Sequence, residues 1–284
     1  TVSPPLRPIW PCSTGRWTLA SASRPWWPAA TRTGWRKPWG RPTARKCGSG
    51  PARLTRGLTD YTRNTSHVIT VFDNGGSTGQ IRDQLDLPAV GDLRNRLTTL
   101  LPDTEEGRLL ARLLTTRLPN GPDTDPRVLR DRLLHILEEI DADRRLPDVL
   151  RRYLTMLLEE FVRRHRNVAL QGANVGNLLV VAMYDRQGGS LRATMRALAD
   201  RLGVPASHEI LPVSEANLDL LARFDDGEEV AGERQIVQHG RETGRQVEQI
   251  AFVRRGTRER VDAPEATAEA LEALEARVPD KPGK

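Results

Sequence analysis

Short apolar runs alternate with helical stripes of hydrophobic residues along most of this chain. Residues 68–72 form an apolar run of strand length, which is typical of a strand that is covered on both faces. The motif Asp225-Asp226-Gly227 predicts a hairpin turn between two later strands. Strands are predicted at 68–72, 210–213, 218–224, 229–235 and 247–253. Because strands and helices alternate, we expect an α/β domain.

Helices are predicted where apolar residues recur at spacings of three and four. Asp125 followed by Pro126 is a strong start signal for one of them. Asp148 is expected to cap the next helix, whose charged face, Arg151 included, should be solvated. The predicted helices lie near 54–61, 80–85, 92–101, 105–118, 125–140, 148–161, 178–184, 191–202 and 264–276.

Composition divides the chain near residue 59. Residues 1–59 hold 11 Lys or Arg and no Asp or Glu, together with all six Trp and 9 of the 20 Pro. The remainder holds 32 Lys or Arg against 37 Asp or Glu, so the net charge of +6 comes from the first fifth of the chain. We expect residues 1–47 to be a disordered or non-native arm, as an out-of-frame reading would give. A nucleic-acid-binding arm is the less favoured alternative.

The sequence does not support a membrane-spanning protein, a secreted protein, or a small protein held together by disulfides or zinc. No apolar run approaches ~18 residues, so no transmembrane helix is expected, and no secretory signal pattern is visible. The two cysteines, Cys12 and Cys47, make neither a disulfide framework nor a zinc set. The expected location is therefore the cytoplasm, without a membrane partner.

The strongest candidate for chemistry is the motif Asp73-Asn74-Gly75-Gly76-Ser77-Thr78-Gly79, which directly follows the first predicted strand. A carboxylate and a turn of small residues at the end of a strand present backbone amides to a phosphate. Gly75 and Gly76 allow positive φ and a close approach of the backbone. Ser77 and Thr78 add hydroxyl donors. The motif therefore predicts a phosphate-binding loop.

Two further turns follow, Gly91-Asp92-Leu93-Arg94-Asn95 and Gly172-Ala173-Asn174-Val175-Gly176-Asn177. Asp92 is either a helix N-cap or a contact to a metal or ligand. Arg94 would lie in the same first turn, where it could pair with a phosphate. The last turn can donate amides from a second helix start.

The three motifs in this order resemble the 2-phospho-L-lactate transferase (CofD-like) family, which includes the gluconeogenesis-factor group of nucleotide-sugar-binding proteins. The resemblance covers about residues 48–277. It implies a Rossmann-like three-layer fold and a nucleotide diphosphate conjugate of the guanosine or uridine type as ligand. In the transferase members it implies transfer of a phospholactyl-type group to the hydroxyl of a deazaflavin, with Mg²⁺.

The resemblance also assigns roles to residues. It implies that Asp73 and Asp92 hold the metal or orient the acceptor. The residues implied to line the nucleotide site are Asn74, Gly75, Gly76, Ser77, Thr78, Gly79, Gly91, Arg94, Asn95, Asn174, Gly176 and Asn177. The chain departs from the family pattern at Asn74, where a second Asp is expected, and at Ala173-Asn174, where His-Ser is expected. The first departure favours a non-catalytic nucleotide-sugar-binding regulator as the alternative function. An inactive fragment is a further alternative.

The family comparison also predicts the domain organisation. The α/β domain should span 48–278, with a helical insertion at about 104–165 and a polar tail at 279–284. Family members have a strand and glycine loop before the 54–61 stripe and a further strand after the 264–276 helix. We therefore expect a sheet that is incomplete at both ends, whose open edge would favour association into homo-oligomers.

Overall fold

The computed structural model describes residues 65–121, 125–257 and 259–261. The predicted arm, the 54–61 stripe, the 264–276 helix and the 279–284 tail lie outside these residues. In chain order the described elements are β1 (Thr65–Ile69), α1 (Gly76–Leu85), α2 (Gly91–Leu100), α3 (Glu105–Thr115), α4 (Pro126–Ala142), α5 (Asp148–Arg164), α6 (Val175–Arg186), α7 (Leu191–Arg201), β2 (His208–Pro212), β3 (Leu218–Phe224), β4 (Glu229–Ala231), α8 (Glu233–Thr243), β5 (Val247–Arg254) and β6 (Arg260–Val261).

A parallel strand pair, β1 and β2, confirms the α/β class, and helices α1 to α7 lie in the crossover between the two strands. The register pairs Thr65 with His208 and Ile69 with Pro212. The first strand therefore begins and ends earlier than the predicted 68–72. Val71 and Phe72 are buried as the apolar run requires, but they extend past the ladder and lead to Asp73. Hydrophobicity predicted their burial, and the partner strand set where pairing ends.

A second, antiparallel sheet has the strand order β4-β3-β5-β6. The predicted hairpin at 225–227 is confirmed, since it joins β3 to β4. The prediction of a strand over 229–235 is wrong beyond Ala231. Gly232 has a φ of 93°, which turns the chain out of the strand, and the following residues form α8. The inward face of α8 is half-buried, and Ile236 and Val237 are its only large apolar residues, so its hydrophobic stripe is too short to distinguish a helix from a strand.

The helical layer is centred on α6. Its residues from Val175 to Met183 are all buried, and the helix packs against α2, α3, α5 and α7. Helices α3, α4 and α5 occupy the span predicted as an insertion, although the insertion boundary itself remains a prediction. Within the described ranges, no helix is long and apolar enough to cross a membrane.

The start of α5 differs from the prediction in two respects. Pro147 occupies the N-cap position, and Asp148 is the first helical residue instead of the cap. Arg151 is buried instead of solvated, because its Nη1 donates to the carbonyl of Asp141 over 2.8 Å and its Nη2 pairs with Asp148. The carbonyls at the end of a helix need donors, and Arg151 supplies one to α4.

Candidate functional site

The first motif forms an extended loop that runs directly into α1. The helix begins at Gly76, four residues before the predicted start, so the glycine turn forms its first residues. Gly76 has the positive φ that was expected, 49°, whereas Gly75 is extended with a φ of −98°. The amide of Gly75 donates to Asp73 Oδ1 over 2.8 Å. Asp73 thus shapes the loop, four residues beyond the carboxyl end of β1.

Three glycines allow the three motifs to pack against one another and against α3. A Cβ atom at Gly91 would lie 2.2 Å from Thr78 Oγ1, and one at Gly79 would lie 2.3 Å from the carbonyl oxygen of Asn74. At Gly176 the same atom would lie 2.4 Å from the carbonyl oxygen of Leu114. No side chain fits at such distances. These glycines therefore serve close packing within the protein.

Buried polar side chains join the motifs at what we call the motif junction, which consists of Ser77, Arg94, Asn174 and Asn177. Ser77 Oγ accepts hydrogen bonds from the amide of Asn174 (3.0 Å) and from Asn177 Nδ2 (3.5 Å). Arg94 Nε donates to Asn177 Oδ1 over 3.1 Å. All four side chains are buried. The predicted meeting of motifs that lie about a hundred residues apart is thus a direct contact.

The turn that carries Asn174 is fixed by the chain that follows α3. The amide of Leu118 donates to the carbonyl of Ala173, and the amide of Val175 donates to the carbonyl of Thr116, both over 2.9 Å. Burial, and secondarily the charge of Arg117, lower the pKa of Arg94 to about 10. Arg94 therefore remains a cation at neutral pH, held inside the junction.

The three helices that begin at the site, α1, α2 and α6, differ in whether a side chain accepts hydrogen bonds from the amides of their first turn. Asn174 caps α6 by accepting from the amide of Asn177 over 3.1 Å. Neither α1 nor α2 has a side-chain cap, because Gly75 and Val90 occupy the cap positions. The N-cap interpretation of Asp92 is therefore wrong, since Asp92 is the second residue of α2. Uncapped first turns leave amide donors that suit an anion.

Three carboxylates, which we call the carboxylate cluster, lie beside these helix starts: Asp73, Asp92 and Glu233. Burial raises the pKa of Asp92, and the charge of Asp73 raises it further, although Asn95 Nδ2 donates to Asp92 Oδ1 over 3.3 Å. Burial also raises the pKa of Glu233 to about 7, with added repulsion from Asp73 and Asp92. The cluster therefore concentrates negative charge in a partly buried place.

Glu233 is the residue that the sequence did not reveal. It is the first residue of α8, which the sequence pattern assigned to a strand. Its position at the site depends on Asn74, whose Oδ1 accepts from the amide of Arg234 over 3.0 Å. Asn74 Nδ2 also donates to Gln235 Oε1 over 2.6 Å. Asn74 thus acts as a remote cap for α8, and the sole sequence signal for Glu233 was an acid after a glycine.

The buried side chain of Arg82 holds the first motif in place. Arg82 of α1 is fully buried, and its Nη1 lies 3.2 Å from the carbonyl oxygen of Phe72, directly before Asp73. The same side chain forms a 2.8 Å ion pair with Asp219 and a 2.9 Å hydrogen bond to Asn217 Oδ1. It therefore ties the first motif to the start of β3.

The chain is similar to known proteins over most of its length. The family model "2-phospho-L-lactate transferase CofD" matches residues 46–277. A Thermotoga maritima protein named "Putative gluconeogenesis factor" is 30% identical over 230 residues, which are 80% of this chain and 52% of that protein. The Bacillus subtilis protein named "Gluconeogenesis factor" is 27% identical over 193 residues, which cover 68% of this chain and 44% of that protein.

A solved structure shows the same fold. The crystal structure of a UPF0052-family protein from Bacillus halodurans superposes with a TM-score of 0.52 at 23% sequence identity, over 78% of this chain and 52% of the other. The chain thus spans about half the length of the relatives that it matches.

Proposed function

Because the chain belongs to the CofD family, we propose that its site binds a nucleotide diphosphate conjugate of the guanosine or uridine type. The proposed reaction transfers a phospholactyl-type group from this conjugate to a hydroxyl acceptor such as a deazaflavin. The observation that carries the proposal is the meeting of two uncapped helix starts, α1 and α2, beside the carboxylate cluster. Free first-turn amides are donors for phosphate oxygens.

In this proposal the carboxylates would hold a divalent cation, which would supply positive charge at the diphosphate site. The carboxylate cluster repels a diphosphate unless positive charge lies between them. Oxygen atoms of carboxylates are the ligands that Mg²⁺ prefers, so the residues present fit this ion. Asp73 and Asp92 would hold it. When bound, the ion would neutralise charge on the phosphate oxygens.

The transfer itself is a substitution at phosphorus. The acceptor oxygen forms a bond to the phosphorus of the phospholactyl group, while the bond from that phosphorus to the bridging oxygen breaks. A nucleoside monophosphate leaves with the bonding electrons, and the hydroxyl proton goes to Glu233. Ser77 accepts two hydrogen bonds and still has its own proton to donate to a phosphate oxygen.

A non-catalytic nucleotide-sugar-binding regulator is the second candidate function, and Asn74 favours it. The family pattern has a second carboxylate at this position, whereas here the amide is bonded to α8 on both of its polar atoms. The site then has one fewer negative ligand for a cation. Relatives named as gluconeogenesis factors agree with this alternative.

The test is calorimetric titration of the full chain with guanosine and uridine diphosphate, with and without MgCl₂. We expect binding that Mg²⁺ strengthens and that Asp92→Asn weakens at least tenfold, or about 1.4 kcal/mol. Asp103→Asn is the matched control, because this carboxylate is exposed and pairs with Arg108 instead of with the cluster. If Asp92→Asn bound as tightly as the parent, the proposed site would be wrong.

A second measurement separates the two candidate functions. The protein is incubated with a guanosine diphosphate conjugate of lactate, Mg²⁺ and a deazaflavin, and release of the nucleoside monophosphate is followed by chromatography. Release that depends on the deazaflavin supports the transferase. Tight nucleotide binding with no release would exclude the transferase and leave the regulator.

A further inference from the structure

A second group of potential metal ligands lies at the β3–β4 hairpin, away from the three sequence motifs. Asp226 lies in the hairpin turn, Glu228 precedes β4, and His239 comes from the middle of α8. Each offers one ligand atom, and these atoms all lie within 4.8 Å of one another. The five histidines of the chain lie at least 30 residues apart, so this group of ligands forms only through the tertiary contact between α8 and the hairpin.

The geometry of the group is fixed by packing on both sides. The ring of His239 lies against the buried ring of Phe224, with centroids 4.4 Å apart and planes at 54°. On the hairpin, the amide of Phe224 donates to the carbonyl of Glu228 over 2.9 Å, and the amide of Glu228 donates to Asp226 Oδ1 over 3.0 Å. The ring of His239, the carboxylate of Asp226 and the backbone of Glu228 are therefore held before any ion binds.

One atom of this group lacks a hydrogen-bond partner. His239 Nε2 is buried and makes no hydrogen bond within the part of the chain that the structure describes. The nearest charged oxygen is Glu228 Oε2 at 3.6 Å, beyond hydrogen-bond distance. A buried polar atom without a partner destabilises a fold, because it has lost its hydrogen bonds to water. A metal ion on Nε2 would remove this cost.

We propose that His239, Asp226 and Glu228 bind a Zn²⁺-like transition-metal ion that joins α8 to the hairpin. Imidazole nitrogen together with carboxylate oxygen is a ligand set of Zn²⁺, whereas Mg²⁺ prefers oxygen alone. Because Asp226 and Glu228 are partly exposed, water can complete the coordination. The neighbouring cation is Arg245, whose Nε lies 3.4 Å from Asp226 Oδ2 and whose Nη1 lies 3.7 Å from Asp225. Its half-exposed side chain can remain with Asp225 when the ion binds.

The ion would act as a structural clamp on α8. This helix buries none of its residues, and Asn74 bonds only to its first turn. A metal at His239 would fix the same helix about one and a half turns further along. Since Glu233 begins α8, the clamp would also steady the carboxylate that this helix brings to the nucleotide site.

The test uses Co²⁺ as a spectroscopic substitute for Zn²⁺ in the full chain that carries Cys12→Ser and Cys47→Ser. We expect visible absorption typical of nitrogen-coordinated Co²⁺, and its loss when Zn²⁺ is added. His239→Gln should weaken the binding at least tenfold. His135→Gln is the matched control, because His135 is an exposed histidine that also has two carboxylates, Glu138 and Glu139, within 3.4 Å.

A second control variant and a measurement of hydrogen exchange complete the test of the proposed metal site. Asp103→Asn should leave Co²⁺ binding unchanged, because this exposed carboxylate belongs to neither the hairpin group nor the carboxylate cluster. Zn²⁺ should slow amide hydrogen exchange in α8 of the parent and not in His239→Gln. Equal Co²⁺ binding by the parent and His239→Gln, or no binding by either, would overturn the proposal and leave His239 and Glu228 as an ion pair.

Discussion

The motif junction and α8 both reach the carboxylate cluster, but they are anchored in different ways. The junction is built from buried side chains, and the same motifs contain glycines whose neighbours leave no room for a Cβ atom. Helix α8 buries no residue and is joined to the first motif through Asn74. One side of the site is therefore part of the core, while the other can adjust. A site that must admit a ligand and then surround it needs both properties.

The largest expected loss of stability comes from replacing Arg82, the buried arginine that holds the first motif. Arg82→Met should lower the free energy of unfolding by about 3 kcal/mol, because it leaves Asp219 and the carbonyl of Phe72 without their buried donor. Arg245→Met, on the α8 side, removes a half-exposed arginine and should cost less than about 1 kcal/mol. Urea denaturation measures both. Equal losses would contradict the difference between the two sides.

A smaller effect is expected from adding one methyl group within the first motif. Gly79→Ala should cost about 2 kcal/mol, because its Cβ would meet the carbonyl oxygen of Asn74, a backbone atom that cannot move aside. Gly75→Ala should cost less than about 1 kcal/mol, since Gly75 is extended and its Cβ would meet only Asp73 Oδ1 at 3.2 Å, a tight contact that this side chain can relieve by a small shift. If both substitutions cost the same in thermal unfolding, packing does not explain Gly79.

Low pH should destabilise the parallel pair of strands β1 and β2, because each of these strands contains a histidine. Burial, aided by the charges of Arg96 and His208, lowers the pKa of His67 to about 4, and burial lowers the pKa of His208. The unfolded chain then takes up protons first, so stability is complete above pH 6.5 and falls as the pH drops from 6.5 towards 4. The loss should be on the order of 1 kcal/mol after allowance for solvent screening.

The matched variant for this pH dependence is His67→Gln, which cannot take up the proton. Urea unfolding at pH 7, 6 and 5 should show a flatter pH profile for the variant than for the parent. Parallel profiles would show that His67 does not contribute.

The smallest effect on global stability, and the most local one, is expected at Asn74. Asn74→Ala should cost less than about 1 kcal/mol, because its hydrogen bonds to α8 are exposed. Hydrogen exchange should nevertheless accelerate in the first turn of α8 and not in α6. Asn74→Asp keeps an acceptor for the amide of Arg234, so α8 should stay protected. Unchanged exchange in α8 after Asn74→Ala would show that something else holds this helix.

Much of the fold was predictable from local patterns. Asp125 and Pro126 start α4 as expected, and the Asp-Asp-Gly turn joins β3 to β4. Such signals are visible because capping and turn formation depend on residues that are close in sequence. The misassigned α8 shows the limit, because a helix whose half-buried face carries only Ile236 and Val237 as large apolar residues is hard to distinguish from a strand by its sequence.

The candidate site was predictable only in part. The three motifs could be named because each has its own run of small and polar residues, and the meeting of Ser77 with Asn174 confirms that they converge. The sequence did not show which of the charged residues are buried. Arg82 and Arg151 look like surface arginines in the sequence, yet both are buried against carbonyls that need donors.

The sequence by itself determined the α/β class, most helix starts and the order of the three motifs, because periodicity and turn chemistry act over a few residues. Only the tertiary structure decided that Glu233 joins Asp73 and Asp92, that Asn74 caps a helix 160 residues away, and that His239 meets the hairpin carboxylates. These contacts depend on how α8 packs beside the sheets. Burial and proximity between distant segments set the charges and partners of a site, and neither is written in local sequence.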